Sequence, residues 1–365
     1  MLILNICLIL VEAVLIFTED KLSKKNKIKI FCILACSQAI LLAGLRHIHI
    51  GMDTYNYYNI FERTKDYDWS HIFSLFAPTK MYEAEEIEPG FYLLSKFFQI
   101  FSGSFRHFLV FYASLINIPV FILFYKKSSN AVVSVLIYMC LFWAFTIAGL
   151  RQTLALIIMS TFGFYALEER KPAKYLLCVV ISFFCHKSAL ICLPFYFLCK
   201  IKISRIYITF MLGLSVFLFF FREQFTRLIT SFGGWYEQYS IQYENAGTFT
   251  FSAVIFLIIF ATMFLKDNLK DAPFSTTIST NAILVSATLL PTTFIDPSNL
   301  RAVFYFAIFS TLLVPDLING FKIKRERTLI TILIVGLLCL LYFRTNTIYR
   351  FFWQPGIYNN LPSIV

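Results

Sequence analysis

Basic residues in this chain fall in short clusters between apolar stretches, and that placement constrains the fold more than any other feature. Six clusters recur: Lys21–Lys29, Lys126–Lys127, Arg170–Lys174, Lys200–Arg205, Lys266–Lys270 and Lys322–Arg327. The alternate connections hold isolated residues instead, namely Arg46, Arg151, His186, Asp296, Arg301 and Arg350. Lys and Arg next to membrane segments remain on the cytoplasmic side. The first set therefore sets the orientation, and the second gathers at the outer ends, where cations have no topogenic reason to be. Polar residues kept at such depth are functional candidates.

Composition agrees with this reading. The 365 residues are 58% hydrophobic and 15% charged, whereas a soluble domain has about 25% charged residues. The net charge of +11 does not point to nucleic acid, because the cations flank apolar segments and form no continuous basic stripe. The nine cysteines lie mostly inside apolar runs and read as small buried hydrophobes. The seven-residue spacing of Cys178, Cys185, Cys192 and Cys199 is interrupted by His186 and Lys187 and carries no zinc-type pairing. Met1–Phe17 lacks a basic leader and a cleavage site, so it reads as a retained first helix. No phosphate-binding GxxxxGK[ST] loop is present.

Apolar runs of about 17–25 residues can cross a bilayer. The expected spans are 2–18, 28–45, 105–125, 131–148, 151–168, 174–185, 187–199, 206–221, 249–265, 279–295, 302–318 and 328–343. This is an all-α polytopic membrane protein with about 12 transmembrane helices and a single integral membrane domain over 1–365. Lys174 and Lys200 bound the stretch between them. One spanning helix would place one of these clusters outside, so the stretch is read as a hairpin of two short arms with His186 at its outer tip. Both termini then lie outside. Outer loops fall at about 46–104 and 222–248. The first is rich in acids and Tyr, and the second carries Gly233-Gly234-Trp235-Tyr236, Tyr239 and Tyr243. Gly90–Phe101 is apolar but short and suits the interface or a re-entrant turn.

Four ordered features carry the chemistry. They are Gly44-Leu45-Arg46 followed by Gly51-Met52-Asp53-Thr54-Tyr55 and Tyr58; Glu88-Pro89-Gly90-Phe91-Tyr92; Gly149-Leu150-Arg151-Gln152; and Phe184-Cys185-His186-Lys187-Ser188. Together they resemble the EpsG family of Wzy-like polysaccharide polymerases, clearly over about 28–200. Further on the likeness rests on pattern, in Asn299-Leu300-Arg301 and Tyr349-Arg350-Phe351. The resemblance implies a glycosyltransferase-C-like architecture in the bacterial cytoplasmic membrane, with the active site facing outward. It implies a polymerase that joins oligosaccharide repeat units carried on undecaprenyl pyrophosphate. That lipid carrier is part of the substrate, and neither cofactor nor metal is implied. Expected partners are the lipid-linked oligosaccharide, the membrane, and a chain-length regulator and flippase of the same pathway.

Such a reaction needs cations on the leaving pyrophosphate and a base at the attacking hydroxyl. Arg151 is the leading cation, since a helix N-terminus also favours anions; Gln152, Arg46, Arg301 and Arg350 are further substrate-binding candidates. Each has a bland alternative as an interfacial or snorkelling side chain, and Arg301 could instead pair with Asp296. His186 is the candidate base, or a hydrogen-bond donor to pyrophosphate; alternatively it is a polar turn residue satisfied by Ser188. Asp53 could activate or orient the acceptor, pair with Arg46, or cap the helix after it. Glu88 is a second carboxylate or a helix start. Tyr55 and Tyr58 could stack on sugars or belong to the interfacial aromatic belt. Asp66-Tyr67-Asp68 has the letters of a metal motif without supporting pattern. An O-antigen-type ligase and a lipid-linked oligosaccharide flippase are the competing functions. The spread of polar residues over several short connections argues against the ligase, and the absence of repeated halves argues against the transporter.

Overall fold

The computed structural model describes residues 2–77, 88–224, 246–269, 272–344 and 349–354. Trp235, Tyr236, Tyr239 and Tyr243, and Glu83, Glu85 and Glu86 of the first outer loop, lie outside the described residues. Among the described residues every regular element is helical. The elements are α1 (Leu2–Thr18), α2 (Lys24–Gly44), α3 (Thr54–Arg63), α4 (Trp69–Ser74), α5 (Pro89–Gln99), α6 (Phe105–Lys127), α7 (Ala131–Ala148), α8 (Leu150–Glu168), α9 (Pro172–Cys185), α10 (Arg205–Phe220), α11 (Ala246–Leu265), α12 (Phe274–Leu289), α13 (Leu300–Ala307), α14 (Ser310–Gly320) and α15 (Lys324–Arg344). Six helices among the described residues are long and apolar enough to cross a membrane, and a seventh is added if α13 and α14 form one bent span. Most of the remaining expected spans are shorter helices; α9, at 14 residues, rises only about 21 Å against a hydrocarbon core of about 30 Å.

Polar contacts sort the helix ends into two groups. At one end Lys127 pairs with Glu168 (2.5 Å) and Arg205 with Asp267 (2.8 Å). Arg170 lies over the Phe274 ring, its carbonyl accepts from Tyr196, and Asn268 donates to the Gly320 carbonyl. These contacts join the surroundings of five of the six basic clusters. At the other end Gly51 meets Ile147, Gly90 meets Phe184, and an isolated antiparallel bridge joins Arg46 to Phe351. The isolated polar residues of the alternate connections therefore share one end of the bundle.

Small residues set several close approaches, as expected where helix backbones pack tightly. A Cβ at Gly44 would stand 2.8 Å from Val110 Cα, so α2 lies directly on α6. One at Gly90 would stand 2.7 Å from the Phe184 carbonyl oxygen, which fixes the start of α5 against the end of α9. The short apolar stretch after Glu88 is thus a helix docked on protein.

The chain reverses at His186, as the basic clusters on either side require. Tyr175 near the start of α9 donates to the Cys192 carbonyl at 2.7 Å, and the Tyr175 and Tyr196 rings lie 5.7 Å apart. The return arm is not the helix expected over 187–199. It is a 3-10 segment, Lys187–Cys192, and a single turn, Phe195–Leu198. Pro194 between them has no N–H for the helical ladder.

The expected span 302–318 is also broken, bending by 44° between α13 and α14. Pro315 leaves the Thr311 carbonyl without its helical donor, and Ser134 of α7 supplies one at 2.5 Å. Two π turns, Tyr138–Phe142 in α7 and Met159–Gly163 in α8, interrupt the helices that flank Arg151.

Candidate active site

Arg151 is the second residue of α8, and Gly149 immediately precedes the helix. Its guanidinium pairs with the Glu88 carboxylate and lies 5.9 Å from the Tyr57 ring centre. Its Nε is buried and has no hydrogen-bond partner among the described residues. Glu88 stands at the N-cap of α5, yet its side chain makes no capping bond. It spends one oxygen on Arg151 and the other on the Lys187 backbone N–H at 3.3 Å. Burial would raise the Glu88 carboxyl, but Arg151 and then His186 outweigh it and hold the group below its ordinary range. One carboxylate thereby ties α5, α8 and the hairpin tip.

His186 sits at that tip, 8% exposed. Burial, together with Arg151, Arg301 and Lys187 and against the opposing pull of Glu88, lowers its imidazole to about 4. The ring is neutral at pH 7. Its Nδ1 accepts the Ser188 backbone N–H at 3.4 Å and lies 2.6 Å from Ser188 Oγ, which is 3.3 Å from the Tyr305 hydroxyl. Ser188 Oγ donates on to Tyr305, and Nε2 is the ring nitrogen outside this network. Either expected role, base or hydrogen-bond donor, is open to that nitrogen, according to the tautomer.

Asp53 occupies the N-cap position of α3 but makes no cap bond, so the capping alternative fails. It acts electrostatically on both Tyr57 and Arg151. No hydrogen bond or ion pair engages its carboxylate among the described residues. Arg301 is the second residue of α13. Its backbone carbonyl accepts Gln152 Nε2 at 2.8 Å, and its charge acts on His186. It does not pair with Asp296 among the described residues. Asp296 instead accepts the Ser298 backbone N–H at 2.8 Å. Gln152 is 3% exposed and positions Arg301 from behind.

Glu88, Arg151 and the hairpin tip at His186 thus meet directly, Asp53 and Arg301 act on them electrostatically, and Gln152 supports Arg301. Arg46 does not join them. It is 2% exposed, and its guanidinium donates to the carbonyls of Ala43, Ile50 (3.2 Å) and Ile147 (3.2 Å). No Asp53–Arg46 pair forms among the described residues, and Arg46 lines a neighbouring cleft instead. The Arg46 knot closes the Gly51 turn, where φ is +90° and a Cβ would lie 2.4 Å from the Ile147 carbonyl oxygen. Tyr58 lines that cleft, and the Tyr55 ring lies 6.2 Å from the Tyr58 ring. Arg350 contributes its backbone carbonyl to the His47 N–H at 2.8 Å. Asp68 caps α4 through the His71 N–H at 2.6 Å, so the DxD letters are a helix start. No group of three potential ligands for a metal ion occurs among the described residues.

Sequence reading named Ser188 only as a partner for His186 and passed over Tyr57 and Tyr305. Both of the latter were within reach: Tyr57 follows Asp53 by four residues and Tyr305 follows Arg301 by four, which places each pair on one helix face.

No curated protein and no solved structure matches the chain significantly. The EpsG family matches residues 29–355. That interval contains all the converging residues and both ends of the bundle, and the chain belongs to the EpsG family.

Proposed function

We propose that this protein is a polysaccharide polymerase of the bacterial cytoplasmic membrane. It would join oligosaccharide repeat units carried on undecaprenyl pyrophosphate at the outer face, within a glycosyltransferase-C-like bundle of about 12 crossings. The observation that carries this reading is the convergence of two cations near helix N-termini, Arg151 and Arg301, on a neutral buried His186 and a carboxylate without a partner among the described residues, Asp53.

In this reading an acceptor hydroxyl attacks the anomeric carbon of the donor glycan. The bond from that carbon to the pyrophosphate oxygen breaks, and lipid pyrophosphate leaves. Arg151 and Arg301 neutralise the leaving group, helped by the N-terminal ends of α8 and α13. His186 donates from Nε2 to a phosphate oxygen. Asp53 takes the hydroxyl proton. Glu88 holds the planar Arg151 fork in register and is a positioning residue. A chain-length regulator and a flippase of the same pathway are the proposed partners.

The test is the fate of lipid-linked glycan in a deletion strain. Translocated single units without a ladder, restored to a ladder by the wild-type gene and not by Arg151→Ala at equal expression, are expected. Single units held on the cytoplasmic side would make the protein a flippase. Long polymer left on the lipid would make it a ligase.

A further inference from the structure

A second cleft of about 400 Å³ opens at the same end of the bundle, lined by Arg46 and Ile48 together with His47, Tyr58, Phe105 and Arg106 among others. Ser104 and Phe352 complete its rim. The helix α3 separates it from the Arg151 centre. Tyr57 of α3 touches Arg151, while its neighbour Tyr58 lines the cleft.

Two independent features describe what this cleft can hold. The first is charge. Arg106 lies 4.6 Å from the centre of the Phe352 ring, and no carboxylate pairs with it among the described residues. None of the lining residues is acidic. His47 is pushed down by burial and then by His49, Arg350 and Arg106, so several cations act on it together. The second is a continuous aromatic ledge. Ring centres run from His47 to His49 at 5.1 Å, His49 to Tyr55 at 5.6 Å, Tyr55 to Tyr58 at 6.2 Å and Tyr58 to Phe105 at 5.5 Å. Flat apolar faces next to Arg106, which no carboxylate pairs among the described residues, suit a ligand with sugar rings and an anionic group. They do not suit an acyl chain, which needs no cation.

We propose that this cleft is a binding site for a phosphate-bearing saccharide, the pyrophosphate end of the second lipid-linked glycan. The proposal rests on the polymerase reading for the identity of the ligand, and the cleft's chemistry stands apart from it. Joining two lipid-linked units brings two pyrophosphates to one face. Arg151 and Arg301 can neutralise one. Arg106, with His47 and the N-terminus of α6, holds the other, and the aromatic ledge carries the first sugars. The acceptor is then one helix away from Asp53.

The experiment is calorimetric titration of the full chain in phosphatidylcholine nanodiscs with inorganic pyrophosphate and with farnesyl pyrophosphate. Wild type is expected to bind two equivalents. Arg106→Gln should weaken one of them by roughly 10–100-fold, the equivalent of one charge-assisted hydrogen bond, and Arg106→Lys should restore part of it. Arg151→Gln should weaken the other and leave the Arg106-dependent one intact. Two equivalents at wild-type affinity in Arg106→Gln would overturn the inference. An Arg151→Gln protein that still binds two, with Arg106→Gln binding one, would sink the Arg151 assignment and leave the cleft standing. Phosphatidylglycerol in the discs tests the other source of phosphate. Occupation by that lipid, without pyrophosphate binding in its absence, would make the cleft a headgroup site and overturn the glycan assignment.

Discussion

Two Gly-Leu-Arg triplets in this chain end in different kinds of arginine. Gly44-Leu45-Arg46 closes α2, whereas Gly149-Leu150-Arg151 opens α8. A helix C-terminus presents carbonyls without helical donors, and Arg46 donates to one of them, Ala43, and to Ile50 and Ile147 beyond it. A helix N-terminus presents N–H groups and positive potential. Arg151 finds no carbonyl there and turns to an anion, Glu88. Arg301, also at a helix start, follows Arg151. The same three letters thus give a structural knot at one helix pole and an anion-seeking cation at the other.

The comparison breaks most sharply at Arg151. Arg151→Lys keeps the charge and loses the planar fork, and turnover of lipid-linked units by the purified protein should fall by about 10²–10³-fold, the loss typical of a transition-state donor. Wild-type turnover in that variant would place Arg151 with Arg46 as architecture. Arg46→Ala should act in the opposite currency. It leaves three carbonyls without their donor, and thermal or denaturant unfolding should show a loss of about 3–5 kcal/mol, as when one partner of a buried charged network is removed. Intact stability with lost turnover would return Arg46 to the substrate.

Gly90→Ala sharpens the contrast from the side of Glu88. The added methyl meets the Phe184 carbonyl oxygen at 2.7 Å, so stability should fall by about 1–3 kcal/mol. Turnover should fall with it, because α5 carries Glu88 against Arg151. A stable variant with full turnover would separate Glu88 from the chemistry.

The smallest effect concerns pH. The His186 imidazole is held near 4 in the folded chain and titrates at about 6.5 when unfolded. Between these values the unfolded chain binds more protons, so this residue costs stability progressively as pH falls from about 6.5 to about 4. His186→Gln should flatten that part of the stability curve. The wild-type rate should show no His186-dependent loss near pH 6.5, and a break there, abolished in His186→Gln, would restore His186 as the base.

The chain's own letters determine the helical class, the two-sided arrangement of connections and the hairpin at His186. These follow from local physics: apolar length, the cost of misplaced basic clusters, and helix boundaries at Gly and Pro. The same letters flagged Arg151, Glu88, His186, Asp53 and Arg301 as residues without topogenic reason. They did not separate Arg46 from Arg151, because both read as Gly-Leu-Arg at an outer boundary. Only the tertiary structure decided that. Gly51 and Gly90 admit backbone carbonyls of Ile147 and Phe184 at distances a side chain would forbid, and those approaches fix which partner each charge meets. Partner choice depends on residues roughly 60 to 150 positions apart, as for Glu88 with Arg151 and Gln152 with Arg301. Pairings of that span are set by packing, which no local pattern encodes.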